Sequence, residues 1–124
     1  MEEIIMYKAN DGKLFNNADD CIEYEFEVFG KSLKNELLMF DEDHEKIELL
    51  IDTNYDLVHY VILKTKEAYD YFIKQNNILG LATNGIDFIG AYYFSRESYK
   101  WESIADKIED LQNELDLYNK YLNL

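Results

Sequence analysis

Between Trp101 and Leu122, apolar residues return at every third or fourth position without a break: Trp101, Ile104, Ile108, Leu111, Leu115, Tyr118 and Leu122. A strand would throw residues at that spacing onto both of its faces, whereas a helix keeps them on one. The pattern is a heptad, with Trp101, Ile108, Leu115 and Leu122 at a and Ile104, Leu111 and Tyr118 at d. The flanking e positions are Ala105, Gln112 and Asn119, and the g positions are Lys107, Glu114 and Tyr121. A helix lying on its own domain usually adds apolar residues at e or g. This narrower seam fits a contact between two helices. Two placements follow: a homodimer paired through the C-terminal helix, or the same helix packed back on the chain's own sheet. Three heptads do not choose between them.

A second helical pattern precedes it. Ile22, Phe26, Phe29, Leu33, Leu37 and Phe40 describe one face of a helix of about 22 residues. Asn16 or Asn17 is its N-cap, and Asp19 and Asp20 in its first turn favour the helix dipole. Gly30, inside the pattern, marks a close packing contact or a bend. Ahead of the helix, "IIMYKANDGKLF" reads as a hairpin turning at Gly12, with Phe15 placed as a hydrophobic staple at the helix entrance. After it, "DEDHE" (41–45) ends the helix, and "KIELLID" and "DLVHYVILKT" flank "TNY" as a second hairpin. Thr65 caps a shorter helix, "KEAYDYFIKQNN", with Ala68, Tyr69, Phe72 and Ile73 inward. Asn84-Gly85 is a turn signal, and "IDFIGAYYFS" follows as a strand. The order β-hairpin, α, β-hairpin, α, β, α indicates one α+β domain over residues 1–124: a small, mainly antiparallel sheet with three helices, the last one long.

The charge is lopsided. Of 26 acids and 12 bases, residues 1–63 hold 16 acids and 5 lysines, a net of −11, out of −14 for the chain. Such a surface repels DNA, RNA and anionic membranes and attracts basic protein surfaces. It also serves solubility alone in many small proteins. Opposite the apolar stripe of the first helix, Asp19, Glu23 and Glu27 form an i, i+4 carboxylate row, with Glu42, Asp43 and Glu45 as a second acidic group. No stretch approaches the ~20 apolar residues that span a bilayer. The acidic start "MEEIIMYK" argues against a signal or transit peptide. The single Cys21 reads as a buried thiol in a reducing, cytoplasmic setting.

Catalytic and metal chemistry find little support. Asp52, Asn54 and Asp56 match the first half of a calcium loop, but Leu57 stands where glycine is needed and Leu63 where a bidentate glutamate is needed, so an acidic hairpin turn is the better reading. His44 and His59 lack convergent ligands at metal spacing. The acids around Cys21 raise a thiol pKa, the opposite of activation. No phosphate loop and no basic–aromatic patch is present. The expectation is therefore no enzyme, no cofactor and no metal. Tyr92, Tyr93 and Tyr99, close to Trp101, are either an aromatic binding surface or part of a tyrosine-rich core and sheet face.

The stretch "YKANDGKLFNNADDCIEYE" resembles the start of small orphan proteins from phages and prophages of AT-rich Gram-positive bacteria. Tyr7, Asp11, Gly12, Phe15, Cys21, Tyr24 and Glu25 carry the likeness, with "GAYYFSRESYKW" as a weaker echo. No functional residues carry over with it. In size and charge the chain is also similar to anti-CRISPR and other anti-defence proteins of phages. The resemblance implies a phage-encoded, non-enzymatic inhibitor, in the cytoplasm of a bacterial host, of a host defence or nucleic-acid-processing protein. Binding a basic partner surface through Asp19, Glu23, Glu27, Glu42, Asp43 and Glu45 would mimic nucleic acid rather than engage it. The alternative is an oligomer that sequesters a small nucleotide-like signal, with Arg96 and Lys100 as its anchors.

Overall fold

Residues 5–124 are described by a computed structural model. Met1–Glu3, the acidic start read as arguing against a leader, and Ile4, at the head of the expected first hairpin, lie outside the described residues. The hairpin itself forms. β1 (Tyr7–Lys8) and β2 (Leu14–Phe15) pair antiparallel. Between them Gly12 takes φ 94°, and the Asp11 carboxylate accepts from the Lys13 backbone N–H (3.0 Å). That left-handed φ is the reason for glycine here.

α1 (Ala18–Glu25) starts at Asn17, whose side-chain oxygen accepts from the Asp20 N–H at 2.8 Å. The helix does not run for 22 residues. It loosens into a π turn (Phe26–Gly30), tightens into a 3-10 turn (Lys31–Leu33) and stops. At Gly30 a Cβ would sit 2.8 Å from the Tyr71 hydroxyl, so this glycine is a close packing contact. Leu37 and Phe40, expected on the helix stripe, belong instead to β3 (Leu37–Phe40). Their spacing of three also suits a strand, which sends the two residues to opposite faces: Leu37 and Met39 are buried, Leu38 and Phe40 half-buried. Sheet pairing on both sides of β3 outweighs the helical periodicity.

The same change redraws the second hairpin. "DEDHE" is the turn between β3 and β4 (Lys46–Ile47), with Asp41 Oδ1 accepting from the N–H groups of Asp43 and Glu45. β4 and β5 (Tyr60–Leu63) do not pair with each other; both flank β3. Residues 52–57 are accordingly a loop rather than a hairpin turn, with Asn54 capping the 3-10 turn Tyr55–Leu57. α2 (Lys66–Ile78) begins at Thr65, whose hydroxyl accepts from the Ala68 N–H (3.2 Å). β6 (Gly90–Ser95) pairs with β5, and β7 (Lys100–Ser103) with β6. The sheet order is β4-β3-β5-β6-β7, antiparallel throughout. Its register lines up Leu37 with Leu63 and Met39 with Val61 and Tyr92 on the inner face; Phe94 and Trp101 pair on that same face. Tyr71 and Phe72 of α2 and Phe26 of the π turn close the core over it.

β7 departs from the sequence pattern. Trp101 is a strand residue of the core, 4% exposed, rather than the first residue of a helical seam. Its ring lies 5.8 Å from Phe72 and 5.4 Å from Phe94, and its Nε1–H donates to the Ala82 carbonyl (3.0 Å). The heptad spacing runs through Trp101 only because Trp101 and Ile104 are three apart across the strand–helix junction. α3 (Ile104–Leu122) starts after Ser103, whose hydroxyl accepts from the Asp106 N–H. The Ser-x-x-Asp of that cap is a local signal for the true boundary. From Ala105 onward every residue of α3 is exposed. The helix therefore does not lie back on its own sheet; it touches the domain through β6 and β7 at its root.

Candidate functional site

The carboxylate row divides. Asp19 and Glu23, both exposed on α1, face Asp52 of the loop before β5 across a cleft of about 370 Å3. Ile22, Ile51 and Leu79 give the cleft an apolar lining, and Ile51 and Leu79 stand 41% and 46% exposed. Among the described residues no base lines it. Glu27, one turn further on, bonds Lys31 at 2.7 Å. Both partners of that pair are exposed, so it contributes little. Glu42, Asp43 and Glu45 are exposed on the β3–β4 turn, where Glu42 takes a 3.0 Å contact from Arg96. Among the described residues no hydrogen bond or ion pair joins the two acidic groups. The structure brings Asp19 and Glu23 together with Asp52, which the sequence pattern does not mark as their neighbour. Asp52 lies beyond two strands and a turn from α1, so only the fold could place it there.

Two larger clefts carry the same sign. One, of about 740 Å3 between the first helical segment and α2, is edged by Glu36, Glu67 and Asp70 against the single base Lys74. The other, of about 710 Å3 beside the root of α3, sets Asp87, Glu102, Asp106 and Asp110 around Lys100 and Lys107. Of the two anchors expected for an anionic ligand, Arg96 is engaged by Glu42 and Lys100 stands among those carboxylates. At Arg96 the pairing with Glu42 cancels the charge an anion would seek, and in the Lys100 cleft four carboxylates outnumber two lysines. Among the described residues no group of three or more histidine, cysteine or acidic side chains could hold a metal ion.

The aromatic surface is smaller than the sequence suggests. Tyr92 is buried on the inner sheet face, its hydroxyl donating to the Phe88 carbonyl (3.2 Å). Alternation along β6 decides this, since Tyr92 points inward and Tyr93 outward. Tyr93 donates to Glu102 Oε2 (2.6 Å), a bond that pushes its own pKa up to about 12. Tyr99 alone is open, 70% exposed at φ 52° in the β6–β7 turn, its ring edge against Phe94.

One buried acid escapes the sequence reading. Glu25 is fully buried on the inward side of α1, four residues after the equally buried Cys21. That i, i+4 relation to a buried thiol is the signal that could have found it. Its Oε1 accepts from the Asn10 N–H (2.8 Å), which ties the β1–β2 turn to α1, while Oε2 has no hydrogen-bond partner among the described residues. Beside it, the Tyr24 hydroxyl donates to Asp11, and Lys13 Nζ lies 4.7 Å from the Tyr24 ring. The Asp11 carboxyl is held below its usual range by that tyrosine bond and the Lys13 N–H. Burial raises the Glu25 pKa above the ordinary 4.5. The folded state then keeps a proton that the unfolded chain has already lost. This contribution to stability is complete below pH 4.5 and is lost as pH rises through the folded pKa. Glu25→Gln is expected to be more stable than the native protein above that range, with the difference closing at lower pH. Urea denaturation of both proteins across the range measures it; a constant difference at all pH values would contradict a buried, titrating Glu25.

Compared with known protein families, curated proteins and solved structures, the chain matches none.

Proposed function

We propose that the protein is a non-enzymatic inhibitor that binds a basic surface on a host defence or nucleic-acid-processing protein, the role suggested by its acidic charge and its similarity in size and charge to anti-defence proteins of phages. The observation that carries this reading is the cleft between α1 and the loop before β5, where Asp19, Glu23 and Asp52 rim an exposed apolar patch and, among the described residues, no base lines the cleft. Carboxylates around an open apolar floor suit a partner segment that presents lysine or arginine beside an apolar side chain, because the stem of the long base packs while its head pairs. The acidic edges of the other two clefts extend the attractive field. The nucleotide-sequestering alternative has weaker support, since Arg96 is paired with Glu42 and Lys100 stands among carboxylates.

The test is capture of host proteins by the tagged chain at low and high salt. A nucleic-acid-processing partner should be retained at low salt and released as salt screens the contact. Asp19→Lys, Glu23→Lys and Glu27→Lys together should abolish that capture and leave the circular dichroism spectrum unchanged, because all three side chains are exposed. Retention of the same partner by the triple variant would overturn the electrostatic reading.

A further inference from the structure

We propose that α3 is a dimerisation arm: two copies pair antiparallel along this helix, and the far end of each α3 seats in the groove at the root of the other. This goes beyond the acidic-surface reading and does not depend on it. The seam residues past the root are open, from 50% exposed at Leu111 to 82% at Leu122. With Trp101 withdrawn into the core, six seam residues remain, and their spacing is symmetric about Asn113. Antiparallel pairing sets Ile104 opposite Leu122 of the second copy, Ile108 opposite Tyr118, and Leu111 opposite Leu115. No seam residue is left without a counterpart, and each a position meets a d position.

The root of the helix supplies the second observation. A groove of about 450 Å3 lies there, lined by Ile89, Gly90, Ala91, Ile104, Ala105 and Ile108. It opens on the a, d and e side of α3, the seam side; Asp106, Lys107 and Asp110 line the cleft on the other side. Ile89 is 45% exposed beside it. A second helix laid antiparallel on the seam brings its Leu122 over this groove, while its Tyr121 falls on the other side, beside Lys107. In a parallel pair the two grooves would face each other with no such residue to fill them.

Charge chooses the same direction. Each copy carries −14. A parallel pair holds both domains at one end of the arm. An antiparallel pair holds them at opposite ends of a helix about 28 Å long, more than three Debye lengths at physiological ionic strength. One repulsion remains, because Glu114 at g lies beside the two-fold axis and faces its own copy. In a parallel pair it would face Asn119 instead.

Sedimentation velocity of the native protein over a concentration series tests this, with a dimer that tightens as salt rises. Leu111→Asp together with Leu115→Asp should weaken the dimer at least about 100-fold and leave a folded monomer. Glu114→Gln should tighten it roughly twofold. Independently, Gln112→Cys in a Cys21→Ser background should be joined into a covalent dimer by a short bismaleimide, since position 112 meets its own copy only in the antiparallel pair and lies too far from it for a direct disulfide. A native protein that stays monomeric at high concentration and high salt would overturn the proposal. So would a double-aspartate variant that remains dimeric or loses the domain's fold, or a dimer of the Gln112→Cys variant that does not cross-link.

Discussion

Trp101→Ala is expected to lower the unfolding free energy by about 3–5 kcal/mol, the range for truncating a large aromatic side chain in a packed core. The indole is sealed at the junction of three elements: Phe72 of α2 packs on one side, Phe94 of β6 on another, and the Ala82 carbonyl takes its N–H. Truncation opens a cavity among rings that rest on α2 and the sheet, and removes the donor of a half-buried hydrogen bond. For a domain of this size the midpoint of thermal unfolding should fall by roughly 10–20 °C. Circular dichroism is the readout, because Trp101 is the single tryptophan and its fluorescence leaves with it. The sequence pattern alone puts Trp101 at the head of a helical seam, one of whose two placements is a contact between copies. On that placement the substitution would weaken self-association and cost under about 1 kcal/mol of domain stability, an outcome that would contradict the structure.

Gly85→Ala is expected to cost about 3 kcal/mol or more. The residue sits at φ 96°, and a Cβ there would lie 1.9 Å from the Trp101 carbonyl oxygen and 2.8 Å from its carbon. The neighbouring Asn84 carbonyl accepts from the Trp101 N–H at 2.9 Å, so the turn is bonded flush against β7 and cannot move aside alone. Left-handed backbone strain of about 1–2 kcal/mol adds to a displacement cost of about 1–3 kcal/mol. Gly80 is the internal control. It has a similar φ of 72° with nothing within 4 Å of the added carbon. Gly80→Ala should therefore show the backbone strain alone, about 1–2 kcal/mol. Equal losses for the two variants in chemical denaturation would mean that the turn does not press on the strand.

These two sites also mark where the sequence can be read and where it cannot. Asn17 and Thr65 are legible as helix caps, because a cap is a bond between a side chain and backbone three residues away. Gly12 and Gly85 are legible as turns for a similar reason, although what Gly85 presses against is not. The α+β class follows from the same local signals. Leu37 and Phe40 mislead because a spacing of three serves a helix face and a pair of opposite strand faces alike, and only the partners on either side of β3 separate the two. The acidic row on α1 is visible as an i, i+4 series, while Asp52 joins it through a loop far along the chain.

By itself the sequence determined the local devices: the DG turn before α1, the caps, the buried thiol at Cys21, the sign of the surface and the heptad of α3. Strand order, the inward turn of Tyr92, the burial of Glu25 and the withdrawal of Trp101 from the seam came from long-range packing. The tertiary structure also decided that α3 leaves the domain with its apolar face uncovered. The physical reason is the range of the interactions. Capping and turn geometry are settled within four residues of backbone, so the residue types report them directly. Which face of a strand or helix meets apolar surface depends on residues that are distant in sequence, and one periodicity is consistent with several answers until those residues are in place.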